Sequence, residues 1–217
     1  MTYAEIYEHS QKDPEAFWMG AADSIDWVTP PSRALWSDQA PLYEWFKDAE
    51  VNTCWNAVDR HVVAGRGEQA AIIYDSPITG QTASISYAEL KEKVGRLGGA
   101  LQNQGVVAGD RVLIYMPMVP EALVAMLACA RIGAIHSVVF GGFAANELAT
   151  RIDDATPKAI LAASCGIEPG RVVDYKPLLD GAIDQATHKP EFCVILQREA
   201  HPAPLTDGRD LDWVAFQ

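Results

Sequence analysis

Residues 111–140 read RVLIYMPMVPEALVAMLACARIGAIHSVVF, and the fold turns on how this run is divided. RVLIYM and AIHSVVF are short apolar runs without polar–apolar alternation, which predicts strands buried on both faces. Between them, PEALVAMLACARIG opens on Pro120 and closes on Gly133. Proline in a first turn and glycine just past a last turn are the marks of a helix. Two fully buried strands joined by a helix predict a parallel crossover.

The same rhythm continues downstream. ANELATRIDDA predicts a helix, KAILAAS a strand, DYKPLLDGAIDQA a helix and FCVILQ a strand. The reading is an α/β domain with a parallel sheet flanked by helices. The tail, REAHPAPLTDGRDLDWVAFQ, supplies no recognisable closing element, so the chain is expected to continue in a parent protein. Upstream, QAAIIY and ASIS flank the turn chemistry of DSPITGQT and predict a hairpin. Ser86 and Glu89 form an S-x-x-E capping box before YAELKEKVGRLGGALQNQ, whose Leu90, Val94, Leu97 and Leu101 share one helical face.

The beginning of the chain differs. Five of the six tryptophans (Trp18, Trp27, Trp36, Trp45 and Trp55) fall there, among Pro30, Pro31 and Pro41. Aromatic rings at this density predict an extended arm with short helices that packs its tryptophans against protein, because they are costly to leave in water. Its last piece, NTCWNAVDRHVVAGRG, offers Asn52 as a cap and Gly65 as a stop. Residues 1–65 are read as this arm and residues 66–217 as the start of the α/β domain.

Composition narrows the function. The 217 residues are 49% apolar, enough for a substantial core, and the net charge is −12. An acidic surface argues against general affinity for nucleic acid or anionic membrane, so an anionic ligand needs local basic groups. The four cysteines, Cys54, Cys129, Cys165 and Cys193, form no CxxC and suggest neither zinc nor a redox pair. The start of the chain is too polar for a signal peptide, and ALVAMLACA is far too short for a membrane span. The chain is expected to be soluble and cytoplasmic. His136, in an apolar strand, is read as a hydrogen-bonded core residue, and His61 as ordering a helix end through Asp59.

Two segments invite a ligand. Phe140-Gly141-Gly142-Phe143 stands where a predicted strand ends and a helix begins, the edge at which open parallel sheets bind ligands. Lacking Cβ atoms, the two glycines permit either a corner with unusual dihedrals or close approach of a ligand. On the residues alone both readings stand open. The spacing is not that of a dinucleotide fingerprint. The second segment, CGIEPGRVVDYKP, follows the next strand and presents Gly170 and Arg171 in a loop, with Lys176 close behind. A guanidinium grips phosphate through paired donors.

The stretch GDRVLIYMPMVPEALVAMLACARIGAIHSVVFGGFAANELATRIDDATPKAIL closely resembles the N-terminal region of the AMP-forming short-chain acyl-CoA synthetases of the adenylate-forming superfamily. YEHSQKDPEAFW, IDWVTP, NTCWNAVDRH and YKPLLDGAIDQA extend the resemblance over nearly the whole chain. RIDDATPKAIL and YKPLLDGAI look closer to propionyl-CoA than to acetyl-CoA synthetases. The resemblance implies a ligase for a short-chain carboxylate, ATP and CoA, with Mg2+, acting through an acyl-adenylate. It also implies that Phe140, Gly141, Gly142, Gly170 and Arg171 face CoA. Glu168 departs from the more basic loop usual in the family and would repel a phosphate. The family's phosphate loop, ribose-binding segment and adenylation lysine find no match in these residues. No catalytic residue and no metal ligand is therefore assigned, and the chain alone is expected to be inactive. An acetyl-CoA synthetase fragment and a non-catalytic nucleotide-binding, CoA-binding or interaction module are the alternatives. Its partner in either enzyme reading is the remainder of its own polypeptide, and the isolated segment is expected to self-associate through surface left uncovered.

Overall fold

The computed structural model describes residues 2–217, with the side chain of Phe140 outside the described part. Two compact units, Met1–Asn56 and Ala57–Gln217, make up the chain.

The first unit begins with helices α1 (Tyr3–Lys12) and α2 (Pro14–Ala22). Thr2 and Glu5 close a capping box on α1, and the Asp13 carboxylate accepts from the Ala16 amide at the start of α2. Two-residue strands β1 (Leu35–Trp36) and β2 (Glu44–Trp45) pair antiparallel. The aromatics form a chain of ring contacts: Phe17 to Trp18 at 5.1 Å, Trp18 to Trp45 at 5.4 Å and Trp45 to Phe46 at 6.0 Å. Trp27 meets Phe46 at 5.6 Å and donates its indole N–H to the Ala22 carbonyl. The rings touch but do not bury one another: Trp18 and Trp45 are 42% and 50% exposed, so the expected packing of the tryptophans against protein is only partial.

At the division the backbone makes two π-helical turns, Trp55–Asp59 and Val62–Arg66, with Gly65 at φ 79°. Asn52 caps the stretch by accepting from the Trp55 amide at 2.9 Å. The units divide earlier than the compositional break at residue 65 because Asp59 belongs to the second unit. Its buried carboxylate accepts from Arg131 at 2.6 Å and lies 3.9 Å from Lys91. His61 does not lean on Asp59; it meets the Arg66 guanidinium, and its ring lies tilted against that of Tyr87 at 4.6 Å.

The second unit continues with the antiparallel hairpin β3 (Ala70–Ser76) and β4 (Gln81–Ser86), then α3 (Tyr87–Asn103), opened by the Ser86–Glu89 capping box. β5 (Arg111–Met116), α4 (Pro120–Ile132), β6 (Ile135–Phe140), α5 (Ala145–Ala155) and β7 (Ala159–Ala163) follow where the apolar runs predict, although β6, at the edge of the sheet, leaves Ile135 and Val138 exposed and is not buried on both faces. A second hairpin, β8 (Cys165–Glu168) and β9 (Arg171–Asp174), precedes α6 (Tyr175–Gln185), β10 (Phe192–Leu196), β11 (Asp210–Asp212) and α7 (Trp213–Phe216). The main sheet is parallel, in the order β11-β10-β7-β5-β6. The chain steps from β5 outward to β6, then back across β5 to β7 and on to β10. Right-handed crossovers with this reversal put α4 on one face and α5 and α6 on the other. Accordingly α3 packs on α4, and α5 packs on α6. Val112 to Met116 and all of β7 are buried between these layers.

Two expectations need correction. The tail does supply an element, since β11 extends the sheet beside β10 through Cys193–Asp210 and Val194–Leu211. An ion cluster, not an apolar run, holds β11 there. Asp210 accepts from Arg209 Nε at 2.7 Å and from the Thr206 amide at 2.9 Å, and lies 2.9 Å from Lys176 Nζ. Residues 165–174, read as a loop, form the β8–β9 hairpin because Pro169-Gly170 is a two-residue turn with Gly170 at φ 77°. Among the described residues no helix is long and apolar enough to cross a membrane.

Candidate functional site

The sheet order reverses between β5 and β7, and ligands of open parallel sheets bind beyond the carboxyl ends of strands at such a point. The segments leaving β5, β6, β7 and β10 gather there. A crevice of about 670 Å³ runs between the β3–β4 hairpin, the start of α4 at Val119 to Glu121, Ile167 of β8 and the Leu196 to Ala200 segment. A second opening of about 560 Å³ lies between the β3–β4 turn at Pro77 and Ile78 and the tip of the β8–β9 hairpin.

Gly141 settles why one of the two glycines is needed. Its φ is outside the left-handed region, so an unusual dihedral is not the reason. A Cβ here would come 2.7 Å from Tyr175 Oη and 2.8 Å from the Met116 carbonyl oxygen. The residue is glycine because another segment approaches closely. Gly142 beside it is exposed. The turn is held from its far side by Tyr115 of β5, whose hydroxyl donates to the Phe143 carbonyl at 3.0 Å, while the Arg151 guanidinium lies 5.1 Å from the Phe143 ring centre. α5 then starts at Ala145 with no side-chain cap from Ala144, which leaves first-turn N–H groups oriented towards the turn. The predicted site side chain of Phe140 lies outside the described residues.

At the hairpin tip Gly170 and Arg171 line the second opening, but Arg171 is not a free cation. Its Nε donates to Glu168 Oε2 at 2.7 Å, and a second guanidinium nitrogen lies 2.6 Å from the same oxygen. The carboxylate expected to repel a phosphate therefore first holds the arginine. Both partners are solvent-exposed, and such a pair is worth roughly 0.2–1 kcal/mol, so a dianionic ligand can displace it. Lys176 does not join Arg171. It is 3% exposed, donates to both Asp180 oxygens at 2.7 and 2.6 Å, and lies against Asp210.

What the sequence reading missed is the element joining the two segments. The Tyr175 ring passes between Gly141 and Gly166 and lies 4.9 Å from the ring of Tyr115. Burial, and then the neighbouring Tyr175, raise the Tyr115 pKa well above that of an ordinary phenol, so Tyr115 remains a proton donor. Burial, followed by the charge of Glu168, also raises that of Tyr175. The two glycines flanking a tyrosine are the signal that could have revealed it, but only with the partner known. Cys129 and Cys193 are pushed up to about 12 by burial and are inert thiols. Among the described residues no group of His, Cys, Asp and Glu is placed to hold a metal ion. The chemistry on offer is binding: glycine backbone, uncapped helix N–H groups and a guanidinium suit an anionic ligand.

Residues 59–213 match the family described as AMP-binding enzyme, and residues 3–57 match the acetyl-coenzyme A synthetase N-terminus. The chain is 51% identical over 212 residues to the mitochondrial acyl-CoA synthetase short-chain family member 3 of Rattus norvegicus, covering 97% of this chain and 31% of that protein. It is 42% identical over 217 residues to the propionate–CoA ligase of Escherichia coli (strain K12), covering 100% of this chain and 34% of that protein. Acetoacetyl-CoA synthetase from Streptomyces lividans superposes with a TM-score of 0.88 at 25% identity, covering 100% of this chain and 33% of that one. The chain thus spans about a third of the length of these relatives. Two family matches that together run through nearly every residue, the larger over residues 59–213, place the chain in the AMP-binding enzyme family.

Proposed function

We propose that these residues are the N-terminal part of a propionate–CoA ligase and supply part of its CoA site. In the reaction, a propionate oxygen attacks the α-phosphorus of ATP and pyrophosphate leaves. The CoA sulfur then attacks the acyl carbon, and AMP departs with the electrons of the broken C–O bond. The observation that carries the reading is the convergence on one tyrosine, at the carboxyl end of the sheet, of the Phe-Gly-Gly turn and of Gly166 at the base of the hairpin whose tip carries Gly170 and Arg171. The exposed Gly142 backbone, the uncapped α5 N-terminus and Arg171 would bind the nucleotide end of CoA. No residue here is assigned to adenylate formation. Among the described residues no group of His, Cys, Asp and Glu fits Mg2+.

The test uses the full-length polypeptide carrying this sequence. Propionate should drive ATP–pyrophosphate exchange and, with CoA, AMP release, with acetate the weaker substrate. Arg171→Ala should raise the KM for CoA about tenfold, equivalent to about 1.4 kcal/mol, and leave exchange unchanged. Absence of propionate-dependent exchange would overturn the ligase reading. An unchanged KM for CoA would overturn the assignment of the hairpin tip.

Self-association of the isolated 217-residue segment belongs to the same proposal, because strand β6 ends the sheet order with Ile135 and Val138 55% and 53% exposed. Sedimentation velocity should show dimers or larger species as concentration rises, and a clean monomer throughout would remove the idea.

A further inference from the structure

The geometry points to Tyr175 as a positioning residue that fixes the Phe-Gly-Gly turn against the β8–β9 hairpin, so that the two halves of the coenzyme site keep one spacing. This rests on the CoA reading above and adds to it a residue that need not touch the ligand.

Tyr175 begins α6, and its amide donates to the Ser164 carbonyl at 3.0 Å, which anchors its backbone to the end of β7. From there the ring runs between two glycines on different elements. A Cβ at Gly141 would stand 2.9 Å from ring atom Cε2, and one at Gly166 would stand 2.6 Å from both Cε1 and Cζ. Neither position tolerates a side chain while the ring is present. The ring thus occupies the space that a Cβ would need on both elements, an approach that only glycine permits. Tyr115 completes the clamp. Its ring lies against Tyr175, and its hydroxyl holds the Phe143 carbonyl, so residues 141–143 are gripped at both ends. The hairpin carries Arg171 and the turn carries the exposed Gly142; the tyrosine pair is the contact through which the position of one sets that of the other. Fixed spacing matters because a displacement of about 1 Å in a positioned group can cost on the order of 100-fold in rate.

In the full-length enzyme Tyr175→Leu should raise the KM for CoA about tenfold or more and change propionate-dependent ATP–pyrophosphate exchange less than about twofold. Tyr175→Phe keeps the ring and should stay within about threefold of wild type in both. Tyr115→Phe removes only the hydrogen bond to Phe143 and should raise the KM for CoA about three- to fivefold. Equal losses in exchange and thioester formation would overturn the positioning role, as would an unchanged KM for CoA in Tyr175→Leu. If Tyr175→Leu does not fold, Tyr115→Phe decides, and an unchanged KM there overturns the proposal. Arg171→Ala, run in parallel, separates the two levels. A raised KM in Arg171→Ala with none in Tyr175→Leu removes the clamp and leaves the CoA reading; no change in either removes both.

Discussion

Asp210→Ala is expected to lower the unfolding free energy by about 3–5 kcal/mol, because it strands buried cations. The Asp210 side chain is fully buried and the residue beside it in space, Lys176, is 3% exposed. Besides the contacts to Arg209 Nε, the Thr206 amide and Lys176, the carboxylate accepts from a second Arg209 nitrogen at 3.1 Å. Without it, Lys176 and Arg209 keep the neutral Thr206 hydroxyl, which accepts from both at 3.1 Å, and one carboxylate, that of Asp180, which is itself part-exposed. Asp210→Asn should lose less, since an amide oxygen still accepts hydrogen bonds. Urea unfolding of the 217-residue chain checks this, and a loss below about 1 kcal/mol would mean that water takes the carboxylate's place. The pH dependence follows. Burial works against ionisation of Asp210, but hydrogen bonds from Arg209, Thr206 and Lys176 outweigh it and hold its pKa below the ordinary carboxylate value. A depressed folded-state pKa gives stability that is complete above the ordinary Asp value, about 3.9, and is lost as pH falls below it. Asp210→Ala should therefore show a shallower acid slope than wild type. It should not be flat, because the Val107 amide lowers the pKa of Asp110 and the His188 amide lowers that of Asp153.

The same cluster shows where sequence reading stops. β5, β7 and β10 were legible because their burial comes from their own side chains: RVLIYM or FCVILQ is apolar whatever stands next to it. β6 was legible as a strand, but as the edge of the sheet it leaves Ile135 and Val138 exposed. β11 is Asp-Leu-Asp, and its place in the sheet depends on Lys176 and Arg209, so nothing local marks it. Lys176 looked available for a phosphate partly for the same reason: Asp180 stands only four residues on, but the buried acidic partner, Asp210, is remote in sequence. The β8–β9 hairpin was more accessible than its reading as a loop. Pro169-Gly170 between Gly-Ile and Val-Val segments is a turn signal, and Glu168 with Arg171 then falls directly across the strands. At the candidate site, the sequence located the special backbone at Gly141 but not its cause. A glycine states that something comes close without naming what. The answer, Tyr175, belongs to a helix three strands further along the chain.

A double-mutant cycle separates the two glycines of the clamp. Gly166→Ala should cost about 2–3 kcal/mol, because its Cβ meets the Tyr175 ring, and that ring cannot swing aside while Gly141 and Tyr115 confine it. With Tyr175→Ala already present, the three nearest obstacles to the new Cβ are gone, and adding Gly166→Ala should cost close to nothing. The coupling energy should thus be about 2 kcal/mol. Gly141→Ala starts from a similar cost but meets a second obstacle, the Met116 carbonyl oxygen at 2.8 Å. That oxygen belongs to the last residue of β5, held in register with Phe140 of β6, and it stays where it is when the tyrosine is removed. Tyr175→Ala should therefore rescue Gly141→Ala only in part, with coupling of about 1 kcal/mol. Denaturant midpoints for the three single and two double variants read this out directly. Equal coupling at both glycines would mean that the β5 backbone yields, and that tyrosine contact alone dictates glycine at Gly141. Coupling near zero at Gly166 would show that the ring escapes its confinement, leaving the hairpin free to move independently of the Phe-Gly-Gly turn.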